Sequence, residues 1–287
     1  MSIHVNEAFI QQYSQTVVTL AQQRGSRLRD AVRVESHRGK AAYYDRIGAT
    51  TAVKRTTRHG DTPRIDVPHS RRRVTLVDYD WADLIDNLDK VRMAGDPTSH
   101  YVSAAAYAMG RAMDDEIVAA AFGLAYAGES GQAPVAFPSA QQIDAGGTGL
   151  TLDKLLQAKE LLDANEVDPD EERYVAVTAR QMSNLLNTTE IKSADYNTVK
   201  ALSQGQLDSF LGFKFLRTQR LLANGAGERR VVAWAQSGLL LSVGMEPTAK
   251  ITERPDKNYS TQVYFSMSIG ATRMEEERVV EIPCVES

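Results

Sequence analysis

The chain has 287 residues, 43% of them apolar and 24% charged, with a formal net charge of −4. That is a globular composition, long enough for one large domain or two ordinary ones. None of its apolar runs nears the roughly eighteen residues of a bilayer-spanning helix. The opening MSIHVNEAFIQQYSQ lacks the basic-then-apolar order of a secretory signal, and the one cysteine, Cys284, cannot staple its own chain, which suits a reducing cytoplasm.

The charge is unevenly placed. Between Arg24 and Arg73 fourteen Lys and Arg stand against five Asp and Glu, a local +9, while the remainder holds nineteen basic and thirty-two acidic residues, or −13. Such a split lets one copy's basic segment pair with another copy's acidic body. A solvated basic loop, or one that touches nucleic acid, fits the charge equally well.

In chain order, Phe9, Tyr13, Val17 and Leu20 fall at helical spacing and predict a short amphipathic helix over 6–23, ending near Gly25. Its stripe is too thin for a core and must lie on something else. From Val34 to Asp80 the pattern becomes alternating and β-branched, as in AAYYDRIG (41–48), TTAVKRTT (50–57), RIDVP (64–68) and RRRVTLVDYD (71–80). Gly48, Gly60, Pro63 and Pro68 punctuate it, which predicts a long hairpin of two extended arms. Poor in large apolar residues, that hairpin would be marginal alone and is expected to rest on a neighbour. WADLIDNLDKVRMAG (81–95) then reads as a polar helix with Leu84, Leu88 and Val91 on one side. Asp96-Pro97-Thr98-Ser99 resets the chain at a capped helix start.

Over 98–123 an alanine-rich helix puts Tyr101, Ala105, Ala108, Ala112 and Ala119 on one face, widened by Met109, Met113, Ile117 and Ala120. Arg111 is placed to pair with Asp115 four residues on. The neighbouring acids Asp114, Asp115 and Glu116 invite a metal or proton-transfer reading. Consecutive helix positions fan out by about a hundred degrees, so the three carboxylates cannot converge on one ion. No histidine sits three or four residues away to complete a carboxylate–histidine pattern. They are expected on a solvated or interface face.

Gly123 to Gly149 is a loop zone. A leucine-rich helix follows over 151–167, capped by Thr151, with Leu152, Leu155, Leu156, Ala158 and Leu162 on its buried side. Next come a buried strand at 173–179, a short helix at 180–187, and a turn at Gly212 leading into a strand within 208–218. Further strands are expected at 229–235 and 238–244, with two extended pieces at 261–273 and 278–284.

Chemistry is hard to find. His4, His37, His59, His69 and His100 are dispersed, none at metal-ligand spacing from another or from Cys284. GGTG (146–149) lacks the Lys-Ser/Thr of a phosphate loop, and no G-x-S-x-G elbow appears. The sequence assigns no catalytic, cofactor-binding or metal-binding residue. Lys54-Arg55, Arg58 and Arg71-Arg72-Arg73 give partial support for nucleic-acid contact. Only Tyr43 and Tyr44 interleave with them, and a pI near 5.8 argues against a dedicated binder.

Five phrases carry a resemblance: GKAAYYDRIG (39–48), YVSAAAYAMGRAMDDEIVAAAFG (101–123), LLQAKELLDANEVDPDEERYVAVTARQMSNLL (155–186), LGFKFLRTQRL (211–221) and ATRMEEERVVEI (271–282). In their order, which spans nearly the whole chain, the sequence resembles the major capsid proteins of tailed bacteriophages, the Hong Kong ninety-seven coat fold, in its short-tailed branch. The resemblance implies an α+β chain with an N-terminal arm (1–35) and an extended loop reaching over an adjacent subunit (36–79). It also implies a peripheral domain (80–180, with a spine helix at 98–123, closed by 259–287) and an axial domain (181–258). It implies hexamers and pentamers of a closed icosahedral head around double-stranded DNA that is contacted non-specifically, with a portal protein and, in some relatives, a decoration protein. No long N-terminal helical segment could act as a built-in scaffold, so a separate scaffolding protein is expected. The founding member's cross-link does not carry over, since no motif selects Lys40 or Lys54.

The subunit-contact candidates are Arg46, Lys54, Arg55, Arg58, Arg71, Arg72 and Arg73 on the basic side. Asp168, Asp170, Glu275, Glu276 and Glu277 are the acidic counterparts. An encapsulin-like bacterial compartment shell or a soluble α/β enzyme remains the alternative reading.

Overall fold

The computed structural model describes residues 22–58, 60–86, 98–187 and 209–286. In chain order the strands are β1 (Arg33–Ser36), β2 (Ala41–Ile47), β3 (His69–Thr75), β4 (Val77–Ile85), β5 (Ala125–Ala127), β6 (Ala133–Val135), β7 (Arg173–Val177), β8 (Ser209–Phe210), β9 (Phe213–Arg217), β10 (Arg229–Ala235), β11 (Leu239–Arg254), β12 (Ser260–Arg273) and β13 (Val279–Cys284). The helices are α1 (Thr98–Phe122), α2 (Leu152–Ala164) and α3 (Ala179–Asn187). The strands form three sheets, ordered β1-β11-β12-β4, β13-β10-β7-β9-β8 and β2-β3-β5-β6.

The long helix α1 forms because its alanines and methionines favour helix and because one stripe finds a partner. Ala105, Met109, Met113, Ile117 and Ala121 are buried, each four residues from the last. That stripe lies on β12, β11 and β4, where Val263, Phe265, Met267 and Ile269 point inward. Ala119, expected on the buried face, is exposed.

Helix α2 starts as the sequence predicts, with the Thr151 hydroxyl accepting from the Lys154 N–H. Leu155, Ala158 and Leu162 are buried, but Leu156 is 43% exposed. Its place is taken by Lys154, whose ammonium donates to the carbonyls of Ala145 (2.8 Å), Thr148 (3.0 Å), Gly149 (3.1 Å) and Pro283 (3.0 Å). One buried cation thereby ties the glycine loop to the last strand.

The five-stranded sheet is the centre of the core. Every residue of β7 is buried, and Trp234 on β10 stacks on Tyr174 at 5.9 Å between centroids. The indole N–H of Trp234 donates to the carbonyl of Ala31 at 2.8 Å, which pins the turn just before β1.

Several predicted elements differ, among them the expected loop zone 123–149, which carries the short strands β5 and β6. Trp81–Ile85 continues strand β4 instead of starting a helix, because it pairs antiparallel with Thr261–Phe265 of β12. Residues 87–95 of that predicted helix, and 6–21 of the one predicted over 6–23, lie outside the described residues. The strand expected at 238–244 runs on as β11 to Arg254. Register shifts at Val243/Met245 and Met245/Thr248 absorb Gly244 and Pro247.

Candidate assembly interface

The basic hairpin has two parts with different surroundings. Strands β2 and β3 pair from Ala41↔Thr75 to Ile47↔His69, and β3 also pairs with β5. Tyr44 and Val74 pack against Leu240 and Met274. This root therefore rests on its own chain, and the expected long arms are only seven residues each.

Beyond the root, residues 49–66 have no regular structure and are exposed wherever described. The Gly48 N–H donates to the Pro68 carbonyl at 2.8 Å and closes the neck. Among the described residues the hydrogen bonds of this loop stay within it, as where the Arg55 guanidinium donates to the carbonyls of Thr57 and Arg58. Lys54, Arg58 and Arg64 meet no acid among the described residues. Val53 and Ile65 stand 58% and 42% exposed.

The sequence-predicted arginines divide by strand parity, since successive side chains face opposite sides. Arg71 donates to Asp45 at 2.6 Å across the hairpin, a bond that holds the Asp45 carboxyl below its ordinary range, and Arg73 lies over the Tyr126 ring at 5.0 Å. On the other face Arg72, only 1% exposed, is ion-paired with Glu276 and donates to the Met274 carbonyl at 3.2 Å. Arg46 reaches the same carbonyl and lies 3.8 Å from Glu276. So Arg46, Arg72 and Glu276, expected to pair between copies, meet one another within one chain. The turn 274–278 sits under the hairpin root, a juxtaposition of residues some two hundred positions apart that no local pattern announces.

The other acidic candidates stay apart from the hairpin. Glu275 binds Arg278, Glu277 is exposed, and the Asp168 carboxylate accepts from the Asp170 N–H at 2.9 Å in an exposed turn.

The three helical acids do fan out, each to a different element, but they are not a solvated face. Asp114 is fully buried. It accepts from Ser26 Oγ (2.6 Å), from the N–H groups of Arg27 (3.0 Å) and Leu28 (3.1 Å), and from the Gln23 amide. Asp115 pairs with Arg220, not with Arg111, which instead donates to Gln22 and Gln23. Glu116 accepts from the Tyr79 hydroxyl, and burial together with that bond raises the Tyr79 pKa. Sequence reasoning missed Asp114 as an anchor because its partners arrive from about ninety residues earlier.

The architecture, with its long helix on a sheet, its projecting basic loop and its central five-stranded sheet, is that of phage coat proteins. The head structure of Helicobacter pylori bacteriophage KHP40 matches with a TM-score of 0.77 at 9% identity, over 99% of this chain and 98% of that one. The capsid of Ralstonia phage GP4 matches at 0.73 and 10%, over 98% and 96%. The capsid of cyanophage P-SCSP1u matches at 0.72 and 16%, over 99% and 95%. These likenesses define the fold. A family model described as phage capsid protein matches residues 5–286. The chain belongs to that family, and its function is that of a phage coat protein, a component of the virion. A comparison with curated proteins finds no match.

Proposed function

We propose that copies of this chain form the closed icosahedral head that encloses the phage's double-stranded DNA, each copy laying the loop 48–68 on its neighbour. The observation that carries this reading is the loop itself. It holds Lys54, Arg55, Arg58 and Arg64, is exposed over 49–66 wherever described, and among the described residues bonds only within itself. A polar extended segment of this length has no free-energy source for order on its own. A closed shell supplies the missing surface, and the −13 outside residues 24–73 supplies the opposite charge.

On this reading 1–35 is the arm and 36–79 the extended loop. Residues 80–180 and 259–287 form the peripheral unit and 181–258 the axial one. The two units share the five-stranded sheet, which takes β7 and β13 from one and β8, β9 and β10 from the other. A separate scaffolding protein and a portal protein complete the assembly pathway, decoration protein is optional, and packaged DNA is touched without sequence preference.

Electron microscopy of the full chain expressed with the head proteins of the same phage tests this directly. Closed shells are the expected result. A protein that stays monomeric at high concentration under those conditions overturns it, and an internal cargo enzyme in the shells would favour the bacterial compartment reading.

A further inference from the structure

The charges at the hairpin root do not balance. Three guanidiniums surround the one carboxylate of Glu276: Arg72 in direct contact, Arg273 at 3.6 Å and Arg46 at 3.8 Å. Arg273 also donates to the carbonyls of Ala121 (2.9 Å) and Gly123 (3.0 Å). These lie at the carbonyl end of α1, where the helix offers about half a negative charge. Three positive charges against that sum leave more than one unit uncancelled.

The imbalance is buried. Arg72 is 1% exposed and Arg273 fully enclosed; among the described residues Arg72 Nη1 has no hydrogen-bond acceptor, and Arg273 Nε meets only Glu276 Oε1 at 3.6 Å, beyond hydrogen-bond reach. Burial pulls the pKa of both guanidiniums down, and Arg46 acts on Arg72, and Arg72 on Arg273, in the same direction. Buried guanidinium N–H groups are ordinarily paired, because leaving them bare is costly. Among the described residues no carboxylate is to spare nearby. Glu275 is bound to Arg278, Asp45 lies across the sheet on Arg71, and exposed Glu277 contributes only a distant attraction to Arg72.

The cluster reaches solvent at the side chains of Arg46 and Glu276, 19% and 15% exposed. We propose that this opening receives one carboxylate side chain from a second copy of the chain, seated on Arg46 in front of the two buried arginines. A guanidinium fork matches a carboxylate in geometry as well as charge. A neighbouring copy presents acids densely, given its −13 outside residues 24–73. Arg46 and Glu276 expose only 19% and 15% of their side chains there, which suits a single side chain, and the Glu276 carboxylate repels a phosphodiester strand lying across it. The inference rests on the shell reading and adds to it a reason for assembly: a subunit is strained by its own charge until a neighbour arrives.

Ser70 gives the test. Its hydroxyl accepts from Arg46 Nε at 3.1 Å, so Ser70→Asp supplies the missing carboxylate within the chain. The unassembled variant should melt above wild type, and the concentration for half-maximal shell formation should rise about fivefold. Ser70→Asn, neutral and of the same shape, should leave both near wild type, and Arg46→Gln should weaken assembly while the subunit stays folded. An Asp variant that gains no thermal stability, or gains it without hindering assembly, overturns the proposal. Assembled wild-type shells that are saturably stabilised by sulfate at fixed ionic strength, with the effect lost in Ser70→Asp, assign the site to a free anion and overturn the second-copy assignment. If wild type forms no shells at all, the shell reading itself has failed, and the melting comparison still decides whether the cluster lacks negative charge.

Discussion

Gly110 of α1 lies directly against Gly25: a Cβ built at 110 would come within 2.4 Å of the Gly25 carbonyl carbon and 2.5 Å of the Ser26 nitrogen. The backbone of the N-terminal segment crosses the helix at the one position without a side chain, and Gly25, at φ +70°, turns there. One helical turn later, Asp114 grips residues 26–28. Backbone contact and carboxylate together form a single docking point for the segment that leads to Trp234's acceptor, Ala31.

Gly110→Ala separates packing from propensity. In an open helix the change stabilises by about 1 kcal/mol. Here the methyl meets backbone, which cannot swing aside, and overpacking of this kind costs about 1–3 kcal/mol. A net loss of stability is expected, with earlier proteolytic cutting near residue 25. A variant that melts above wild type would show that the crossing is looser than described.

Asp114 and Asp115 are neighbours of the same residue type with opposite expected weights. Asp114→Asn removes a buried charged acceptor of four donors and should cost about 2 kcal/mol or more in urea unfolding. Asp115→Asn loosens a half-exposed pair with Arg220 and should cost at most about 1 kcal/mol. Equal effects would contradict the burial of one and the exposure of the other.

Charge reversal belongs on the loop, not on its root. Lys54, Arg55 and Arg58 touch no acid among the described residues, so changing all three to Glu should alter subunit stability by no more than about 0.5 kcal/mol, yet cut shell yield severalfold. Reversal at Arg72 would bury a second acid against Glu276 and is expected to stop folding. Normal shell yield from the triple loop variant would remove the loop from the assembly contacts.

Alkaline stability has a titrating group. Burial raises the Cys284 thiol from its ordinary 9.0 to about 12, and Tyr174 is raised to about 12 as well. Between those values the unfolded chain has released the Cys284 proton and the folded chain has not. The folded state then binds more protons, so stability falls as pH rises, by up to about 1.4 kcal/mol per pH unit for one such group. Cys284→Ala should flatten the decline above pH 9, and native Cys284 should react with a thiol reagent only as fast as the protein unfolds. Rapid labelling of native protein at pH 8 would refute the enclosed thiol.

The elements most legible in the sequence are those whose signal is local. Thr151 announces the start of α2, the four-residue spacing of Met109, Met113 and Ile117 announces α1, and RRVVAWA announces β10. Trp81–Ile85 misled because Leu84 continues a helical spacing, whereas Tyr79, Trp81 and Ile85 also alternate toward a sheet, and pairing with β12 decided between them. Pro247 hid the outer half of β11, since nothing local shows that a partner strand will tolerate two register shifts. The basic loop stands out by its charge, but the division between a root fixed by Glu276 and an exposed tip depends on a contact from the far end of the chain.

The strand order carries a consequence for timing. Among the described residues β1 has its ladder partner only in β11, through Arg33↔Leu240 to Ser36↔Val243, and β4 has its only in β12. A ribosome must therefore deliver more than two hundred further residues before Arg33–Ser36 finds its place. Until translation is nearly complete the hairpin root lacks Leu240, Met274 and Glu276 beneath it, so in a half-made chain the basic loop has no finished base to stand on.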